Sequence, residues 1–242
     1  MTLQSHLEEL RKRIIFSLLF FFATFCLCYF FSEEVYKFLL QPFANIPSNH
    51  GNRKLIYTNP SEAFATYIKL SFYSALFFSV PIFLSEFYLF ISPALYKNEK
   101  KNILLILFFA PFLFLCGAIL AYYFILPLAL EFFTGFESQS LSNNFSIQLD
   151  ARISEYLSLV INLLFGFGIA FQLPILLLFL IRIGFLSTND LRSKRKYWMV
   201  AIFIVAAVLT PPDVLSQITL AIPMILLFEI VIFISEKFIN KK

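Results

Sequence analysis

Charge is scarce in this chain. Its 242 residues are 14% charged and 60% hydrophobic, whereas an ordinary soluble domain is about 25% charged and 45–50% apolar. A single water-soluble core could not hide this much apolar surface, so lipid must surround much of the fold. The composition therefore excludes a soluble domain and indicates an integral membrane protein.

Metal ligands and catalytic groups are scarce as well. The chain has two histidines, His6 and His50, and three cysteines, Cys26, Cys28 and Cys116, which all lie within apolar runs. A thiolate in lipid needs a cation and further ligands, and a free cysteine otherwise behaves as a small buried hydrophobe. We therefore expect no metal site, no cofactor and no catalytic constellation of an intramembrane enzyme.

The N-terminal segment superficially resembles a signal peptide, since Arg11-Lys12-Arg13 precede an apolar stretch from Ile14 to Phe31. That stretch has 18 residues, which is longer than the roughly 7–15 residues of a cleavable apolar region. No Ala-x-Ala cleavage site follows it. We therefore expect a retained first span.

Six apolar runs predict an all-α integral membrane protein with six transmembrane helices in one domain, residues 1–242. The runs cover residues 14–31, 64–91, 103–127, 153–181, 198–210 and 214–234, between an N-terminal helix at 1–13 and a tail at 235–242. The first four are long enough to cross a hydrocarbon core about 30 Å thick. Prolines predict kinked helices that form a concave surface: Pro81, Pro111, Pro127, Pro174 and Pro223.

The last two runs are short. Trp198 to Thr210 is 13 residues before Pro211-Pro212-Asp213 ends the helix, because proline lacks the N–H donor. A pair of short spans is the favoured interpretation, and a re-entrant hairpin is the alternative. Short spans would require local thinning of the bilayer, at a fraction of a kcal/mol per Å.

Basic residues predict the orientation. Fourteen of the 19 Lys and Arg residues fall at the N-terminus, in the second and fourth connections or in the tail. Positive residues stay on the cytoplasmic side, so both termini are expected in the cytoplasm. Basic segments alternate with less basic ones along the chain. Both termini are basic, which fits six spans, whereas five spans would place the termini on opposite sides.

The first outward connection is expected to carry a short helix at the outer surface. Ser32 followed by Glu33 and Glu34 is typical of an N-cap and an acidic first turn. Apolar residues on one face continue from there to Pro42.

Two carboxylates on the cytoplasmic face are candidate ligand-binding groups. Ser5-x-x-Glu8 is a capping box that predicts a helix before the first span. In that helix Glu9 lies one turn from Arg13, which is typical of a solvated salt bridge; alone, Glu99 is an ordinary partner for neighbouring lysines. Together, Glu9 and Glu99 could each receive a guanidinium group in a bidentate pair. Charged hydrogen bonds contribute about 1.5–3 kcal/mol each, so two pairs would hold a ligand reversibly.

Polar side chains also lie inside or beside the predicted spans: Lys69, Glu86, Glu155, Gln172 and Glu229. An intramembrane charge is a functional-site hypothesis by default. Glu86 and Glu229 lie close to the cytoplasmic interface, where structural pairing and function are equally good interpretations. Gln172, deep in the fourth span beside Pro174, is the hardest to explain as structural.

Five motifs follow one another along the chain: His6-Leu7-x-Glu9-Leu10-Arg11-x-Arg13, Phe90-x-x-Pro93-x-Leu95-Tyr96-x-x-Glu99, Asp190-Leu191-Arg192-x-x-Arg195-x-Tyr197, Leu209-Thr210-Pro211-Pro212-Asp213 and Ile222-Pro223 followed by Glu229. With them, from about Ser5 to Glu236, the chain resembles the C subunit of the twin-arginine protein translocase, the TatC family. Each motif alone is weak, and their order and spacing across six spans carry the resemblance.

The resemblance implies a receptor and not an enzyme. Members of the family bind folded cargo through an N-terminal signal peptide with consecutive arginines, on the cytoplasmic face of the bacterial inner membrane. They work with the single-span partners TatA and TatB and with other copies of themselves, and bind no nucleic acid. The proton-motive force, and not ATP, drives transport.

The resemblance also implies residue roles. Glu9 and Glu99 match the family's signal-binding carboxylates, and Pro42 matches an important proline of the outer cap. The surrounding recognition surface is matched by Arg11, Phe90, Pro93, Leu95 and Tyr96. The region that docks the TatB-like partner is matched by Met199, Leu209, Pro211, Asp213 and the residues between them.

Gln172 departs from the family pattern, which often has Glu at this position of the fourth span. A neutral amide can still hydrogen-bond a partner helix in lipid, but it cannot carry a proton. The chain also has Ala94 where the family frequently has Gly.

Two other classes of membrane protein compete with this interpretation. A secondary transporter would need broken helices in repeated halves, but the short runs 198–210 and 214–234 have no counterpart in the first half. A structural membrane scaffold would not distinguish twin-arginine from twin-lysine ligands.

Overall fold

The structure, a computed structural model, describes residues 3–46, 55–91, 100–142, 145–147, 150–182, 184–210 and 214–238. Within these ranges the regular elements are helices and one two-stranded hairpin. They are α1 (Leu3–Phe30), α2 (Ser32–Ala44), α3 (Pro60–Ile91), α4 (Lys100–Leu120), a π-helix (Ala121–Ile125), α5 (Leu126–Thr134), β1 (Ser138–Ser142), β2 (Phe145–Ile147), α6 (Ile153–Ala170), α7 (Leu173–Arg182), α8 (Thr188–Ser193), α9 (Arg195–Leu209) and α10 (Val214–Phe238).

Five stretches of the described chain are long and apolar enough to cross a membrane: Leu7–Phe30, Pro60–Phe90, Phe108–Thr134, Ile153–Ile181 and Ser216–Lys237. The remaining apolar helix, α9, has 15 residues, or about 22 Å at 1.5 Å per residue. That is shorter than a hydrocarbon core of about 30 Å. The chain is thus a multi-pass helical membrane protein, and the fold is compatible with the predicted sixth span.

The N-terminal helix and the first span form one continuous helix, α1. Leu3 already belongs to it, so Ser5 lies inside the helix, and the prediction that Ser5 caps its start is wrong. Neither Gly nor Pro occurs between Leu3 and Phe30, so nothing in the backbone interrupts it. Helix α1 packs along α3, which brings its charged N-terminal turns beside the end of α3.

The predicted short helix is present as α2, with Pro42 near its end. The carbonyl of Phe31 already accepts the first helical hydrogen bond, from the N–H of Val35 at 3.1 Å. Phe31 therefore occupies the cap position, without a side-chain hydrogen bond, and the prediction that Ser32 is the N-cap is wrong. Leu39 is buried and anchors α2 to the core.

A π-helix divides the third long run. The N–H of Leu126 bonds the carbonyl of Ala121, five residues earlier, immediately before Pro127. The hydrogen-bond spacing thus changes from four to five residues directly before Pro127, which has no N–H to donate to a helical carbonyl. The chain then continues in α5 to Thr134.

A turn at Phe171 and Gln172 divides the fourth long run into α6 and α7. Helix α6 ends at Ala170, four residues before Pro174, whose missing N–H cannot bond the Ala170 carbonyl. The run 153–181 therefore contains the interruption that Pro174 indicates.

Helices α4 and α6 approach closely in the core. A Cβ atom placed on Gly168 would lie 2.5 Å from the ring of Phe114, which is fully buried. Only glycine leaves room for that ring, because a methyl group there would overlap it.

Helices α9 and α10 form a hairpin that leaves part of α6 uncovered. A Cβ atom placed on Gly166 would lie 3.2 Å from the carbonyl oxygen of Leu209, so the end of α9 touches α6 there. Gly166 lies 13 residues after Ile153, where α6 begins, or about 20 Å along the axis. The first turns of α6 thus border a concave face between α3, α6 and α9.

Candidate functional site

Three charged side chains meet where the start of α1 crosses the end of α3. Arg13 donates from Nη2 and Nε to Oε1 of Glu9, at 2.6 and 3.2 Å, and from Nη1 to Oε2 of Glu86, at 2.8 Å. Each side chain is only 21–26% exposed. Such shielding strengthens the attraction between the charges relative to a surface pair. Both bonds to Glu9 use Oε1, so Oε2 takes no part in this pairing.

An apolar groove begins at this cluster and runs between α1 and α3. It has a volume of about 490 Å³ and is lined by Leu10, Arg13, Ser17, Leu84, Glu86, Phe90 and neighbouring residues. Charged groups at one end and apolar walls beyond them suit a ligand with a cationic part followed by an apolar part.

The structure places some of the predicted recognition residues here and does not describe the others. Arg11 is exposed and Phe90 is half-buried, one turn beyond Glu86 on α3. Residues 92–99, with Pro93, Ala94, Leu95, Tyr96 and Glu99, lie outside the described residues. They follow the end of α3 directly in the sequence.

Glu229, the second glutamate near the cytoplasmic interface, also has a cationic partner. Its Oε2 accepts a hydrogen bond from Nη2 of Arg195 at 2.9 Å, and Glu236 accepts one from Arg192 at 3.2 Å. The Arg195–Glu229 pair is about 40% exposed, at 43% and 38%. The structure therefore gives both Glu86 and Glu229 an ion-pairing role. From the sequence, structural pairing and a functional role were equally good interpretations of these two residues.

The segment before α9 is fixed by a capping box. The Ser187 hydroxyl accepts from the N–H of Asp190 at 3.0 Å and donates to the Asp190 carboxylate at 2.5 Å. These hydrogen bonds lower the pKa of Asp190 below its ordinary value. Arg192 of α8 and Arg195 at the start of α9 both pair with glutamates of α10.

Gln172 connects α4 with the turn between α6 and α7. It lies in the turn between α6 and α7, and its Nε2 donates to the carbonyl of Ala110 on α4 at 2.9 Å. Its Oε1 is buried and receives no hydrogen bond from the described residues. The amide thus ties α4 to the α6–α7 turn.

Pro42 leaves one backbone carbonyl of α2 without its helical hydrogen-bond donor, and a tyrosine hydroxyl donates to it instead. Because proline has no N–H, the carbonyl of Phe38, four residues earlier, lacks its helical donor. The Tyr122 hydroxyl donates to that carbonyl at 2.6 Å, and the two rings stack with centroids 4.5 Å apart. Tyr156 donates to the next carbonyl, Leu39, at 2.8 Å. Helix α2 is thus fastened to the π-helix and to α6.

The predicted partner-docking helix α9 shows an exposed apolar face. Val200, Ile204 and Val208 are four residues apart and 58–78% exposed, and Met199 lies beside them. Leu209 is half-buried. Pro211 and Asp213 lie outside the described residues.

Comparison with known proteins identifies the family. The model for Sec-independent protein translocase protein (TatC) matches residues 5–223. This chain belongs to the TatC family. It is 48% identical over 231 residues to Sec-independent protein translocase protein TatC of Rickettsia prowazekii (strain Madrid E), covering 96% of this chain and 91% of that protein. For the TatC of Magnetococcus marinus the identity is 45% over 240 residues, with 99% and 86% covered.

A solved structure shows the same fold. A crystal structure of the twin-arginine translocase receptor TatC in DDM superposes with a TM-score of 0.78 and 35% identity, covering 95% of this chain and 98% of that one. The resemblance seen in the five motifs is therefore confirmed. As a TatC protein, the chain is a membrane-embedded subunit of the Sec-independent protein translocase.

Sequence analysis missed several contacts of this TatC chain because their partners are far apart in sequence. Glu62 accepts a hydrogen bond from Ser154, 92 residues later, at 2.5 Å, and Lys69 donates to Ser158 at 3.0 Å. Gln217 donates to the carbonyl of Phe203 at 3.2 Å, across the α9–α10 hairpin. The sequence feature that could have indicated these contacts is the presence of polar side chains within or beside predicted spans.

Proposed function

We propose that this TatC chain is the signal-peptide receptor of a twin-arginine translocase and that Glu9 and Glu99 bind the two consecutive arginines. The observation that carries the proposal is the Glu9–Arg13–Glu86 cluster beside the apolar groove. Glu9 already holds a guanidinium group there at 2.6 Å, so its surroundings suit that chemistry. A signal arginine would approach its second oxygen or displace Arg13.

Glu99 is the natural second carboxylate. It lies 13 residues after Glu86 in the sequence, in the connection that follows α3. A guanidinium group makes two parallel bonds to a carboxylate, whereas an ammonium group acts as a point charge. Two glutamates near each other would therefore favour twin arginine over twin lysine.

The groove between α1 and α3 would hold the apolar segment that follows the arginines. Its walls include Leu10, Leu84 and Phe90, and burial of apolar surface contributes about 25 cal/mol per Å². A ligand that engages both parts gains affinity and a fixed register. Arg11, Pro93, Leu95 and Tyr96 would complete this recognition surface.

The exposed face of α9 would dock single-span TatA- and TatB-type partners, near Met199 and the turn with Pro211 and Asp213. In a bilayer such a face contacts lipid or another helix, and helix pairs are held by close packing and hydrogen bonds. Several copies of the chain would assemble with these partners, and the proton-motive force would drive export of the folded cargo.

The proposed setting is the bacterial inner membrane, with residues 1–242 as one six-span domain and both termini in the cytoplasm. The basic residues support this orientation, because the Arg13 and Arg195 clusters both lie at predicted cytoplasmic ends.

Photocrosslinking tests the proposal. A twin-arginine signal peptide with a photoreactive residue beside the arginines should label the purified protein near Glu9 or Glu99, and a twin-lysine peptide should lose this labelling. Glu99→Lys should abolish it and Glu99→Asp should weaken it, since the first repels the ligand and the second only shortens the reach. Glu33→Lys, an equal charge change on exposed α2, is the control.

Equal labelling by both peptides would contradict the proposal and favour a transporter or a scaffold. So would unchanged labelling of the Glu99→Lys variant.

A further inference from the structure

A cavity of about 770 Å³ lies on the concave face between α3, α6 and α9. It lies on the side of α6 where Leu209, the last residue of α9, meets Gly166, and the first turns of α6 extend beyond that contact. Lys69, Ser158 and Asn162 line one part of it, and Phe165 and Val208 line another.

Lys69 lies toward the end of α3 opposite the Arg13–Glu86 pair. It is 17 residues before Glu86 on α3, or about 26 Å along the helix. With the Arg13–Glu86 pair taken as one edge of a hydrocarbon core about 30 Å thick, Lys69 lies near the opposite edge. Its Nζ donates to the neutral hydroxyl of Ser158 at 3.0 Å. No carboxylate of the described chain lies within salt-bridge distance of Lys69.

Polarity changes along the cavity in the way an amphiphile requires. The α6 residues Ser154, Ser158 and Asn162 line its polar part at intervals of four residues, and Phe165 and Ile169 continue it as an apolar wall. From Ser154 to Ile169 is 15 residues, or about 22 Å, which is about three quarters of the thickness of the hydrocarbon core.

A carboxylate lies beyond the lysine, at the mouth of the cavity. Glu155 is three residues nearer the start of α6 than Ser158, or about 4.5 Å. Its side chain is 71% exposed, and Arg152 is 3.8 Å away, which is too long for a hydrogen bond. Glu155 can therefore accept a second cation.

We propose that this cavity binds one phospholipid with a phosphate and a primary amine in its headgroup, such as phosphatidylethanolamine. The phosphate binds Lys69 and the Asn162 amide, the ammonium group binds Glu155, and an acyl chain lies along Phe165 and Ile169. The lipid fills the space beside the short helix α9 and joins α3 to α6.

The polarity of the lining favours a lipid over the two other possible occupants. An apolar transmembrane helix would offer no ligand group to Lys69 or Glu155. A free phosphate would use the polar part and leave the apolar wall unfilled. A diacyl lipid matches both the charge pattern and the elongated shape.

Native mass spectrometry of the delipidated protein in detergent tests the proposal, with dioleoyl forms of phosphatidylethanolamine, phosphatidylglycerol and phosphatidylcholine offered in equal amounts. Phosphatidylethanolamine should be retained at least about tenfold better than phosphatidylcholine, as loss of one charged hydrogen bond implies. Lys69→Gln should remove this retention and Lys69→Arg should restore it. Glu155→Gln should make phosphatidylethanolamine and phosphatidylglycerol bind equally.

The controls separate the site from the fold. Lys37→Gln removes an exposed lysine of α2 and should change nothing, and Asn162→Leu should block lipid entry without a change of charge. Each variant must elute as a single species. Equal retention of the three lipids, or wild-type retention by Lys69→Gln, would overturn the proposal. Displacement by millimolar inorganic phosphate, or a single-span protein retained in place of lipid through Lys69, would also overturn it.

Discussion

The two ends of α3 and its neighbours are held by different chemistry. At the predicted cytoplasmic end, Glu9, Arg13 and Glu86 form a shielded cluster of charges with bonds of 2.6–3.2 Å. At the other end, the Tyr122 and Tyr156 hydroxyls donate to backbone carbonyls of α2 at 2.6 and 2.8 Å.

This difference separates the proposed binding surface from a scaffold. A ligand with guanidinium groups can replace Arg13, because both make the same bonds to a carboxylate. A ligand cannot replace Tyr122 or Tyr156 in this way, because each hydroxyl belongs to a buried side chain and bonds a backbone carbonyl of α2. We therefore expect changes at the first end to alter binding and changes at the second end to alter stability.

The largest expected effect is that of Glu9→Lys. It adds a cation beside Arg11, Lys12 and Arg13 and removes one of the two proposed arginine-binding carboxylates, so the affinity for a twin-arginine peptide should fall more than about tenfold. Titration of a labelled peptide into the purified protein measures this. Glu8→Lys makes the same charge change one residue earlier, where the side chain is exposed, and should retain most of the affinity. Equal losses in both variants would show a general charge effect and not a site.

A smaller effect, on stability alone, is expected for Tyr122→Phe. It leaves the Phe38 carbonyl without a donor, which costs about 1–3 kcal/mol, while peptide binding should not change. In a Pro42→Ala background, the N–H restored at position 42 can bond Phe38, so the same substitution should cost clearly less. Thermal unfolding in detergent measures all four members of this cycle. Additive effects would show that Pro42 and Tyr122 act independently.

The smallest effect is expected for Glu229→Gln. Its pair with Arg195 is 38–43% exposed, and pairs of this kind contribute about 0.2–1 kcal/mol. Glu86→Gln should lower the unfolding temperature more, because its pair with Arg13 is about half as exposed. If the order were reversed, shielding would not be the property that distinguishes the two clusters.

The candidate site was partly predictable. Glu9 and Arg13 are one turn apart on a helix, so their pairing follows from spacing alone. The partner of Glu86 could not be found in this way, because Arg13 is 73 residues away and meets it only where α1 packs on α3. Both cap predictions were wrong. Helix α1 already includes Ser5, and the carbonyl of Phe31, not Ser32, accepts the first hydrogen bond of α2.

By itself, the sequence determined the helical membrane class and the membership of the TatC family. It also indicated interruptions near Pro127 and Pro174, although α3, α4 and α10 continue through Pro81, Pro111 and Pro223. These depend on local hydrophobicity, on ordered motifs and on the missing proline N–H. Only the tertiary structure decided that the Tyr122 hydroxyl donates to the Phe38 carbonyl, which Pro42 leaves without its helical donor. It also decided that α9 ends where Leu209 meets Gly166 of α6, beside the cavity that contains Lys69. Such contacts join residues far apart in the chain, and packing of whole helices, not local preference, brings them within bonding distance.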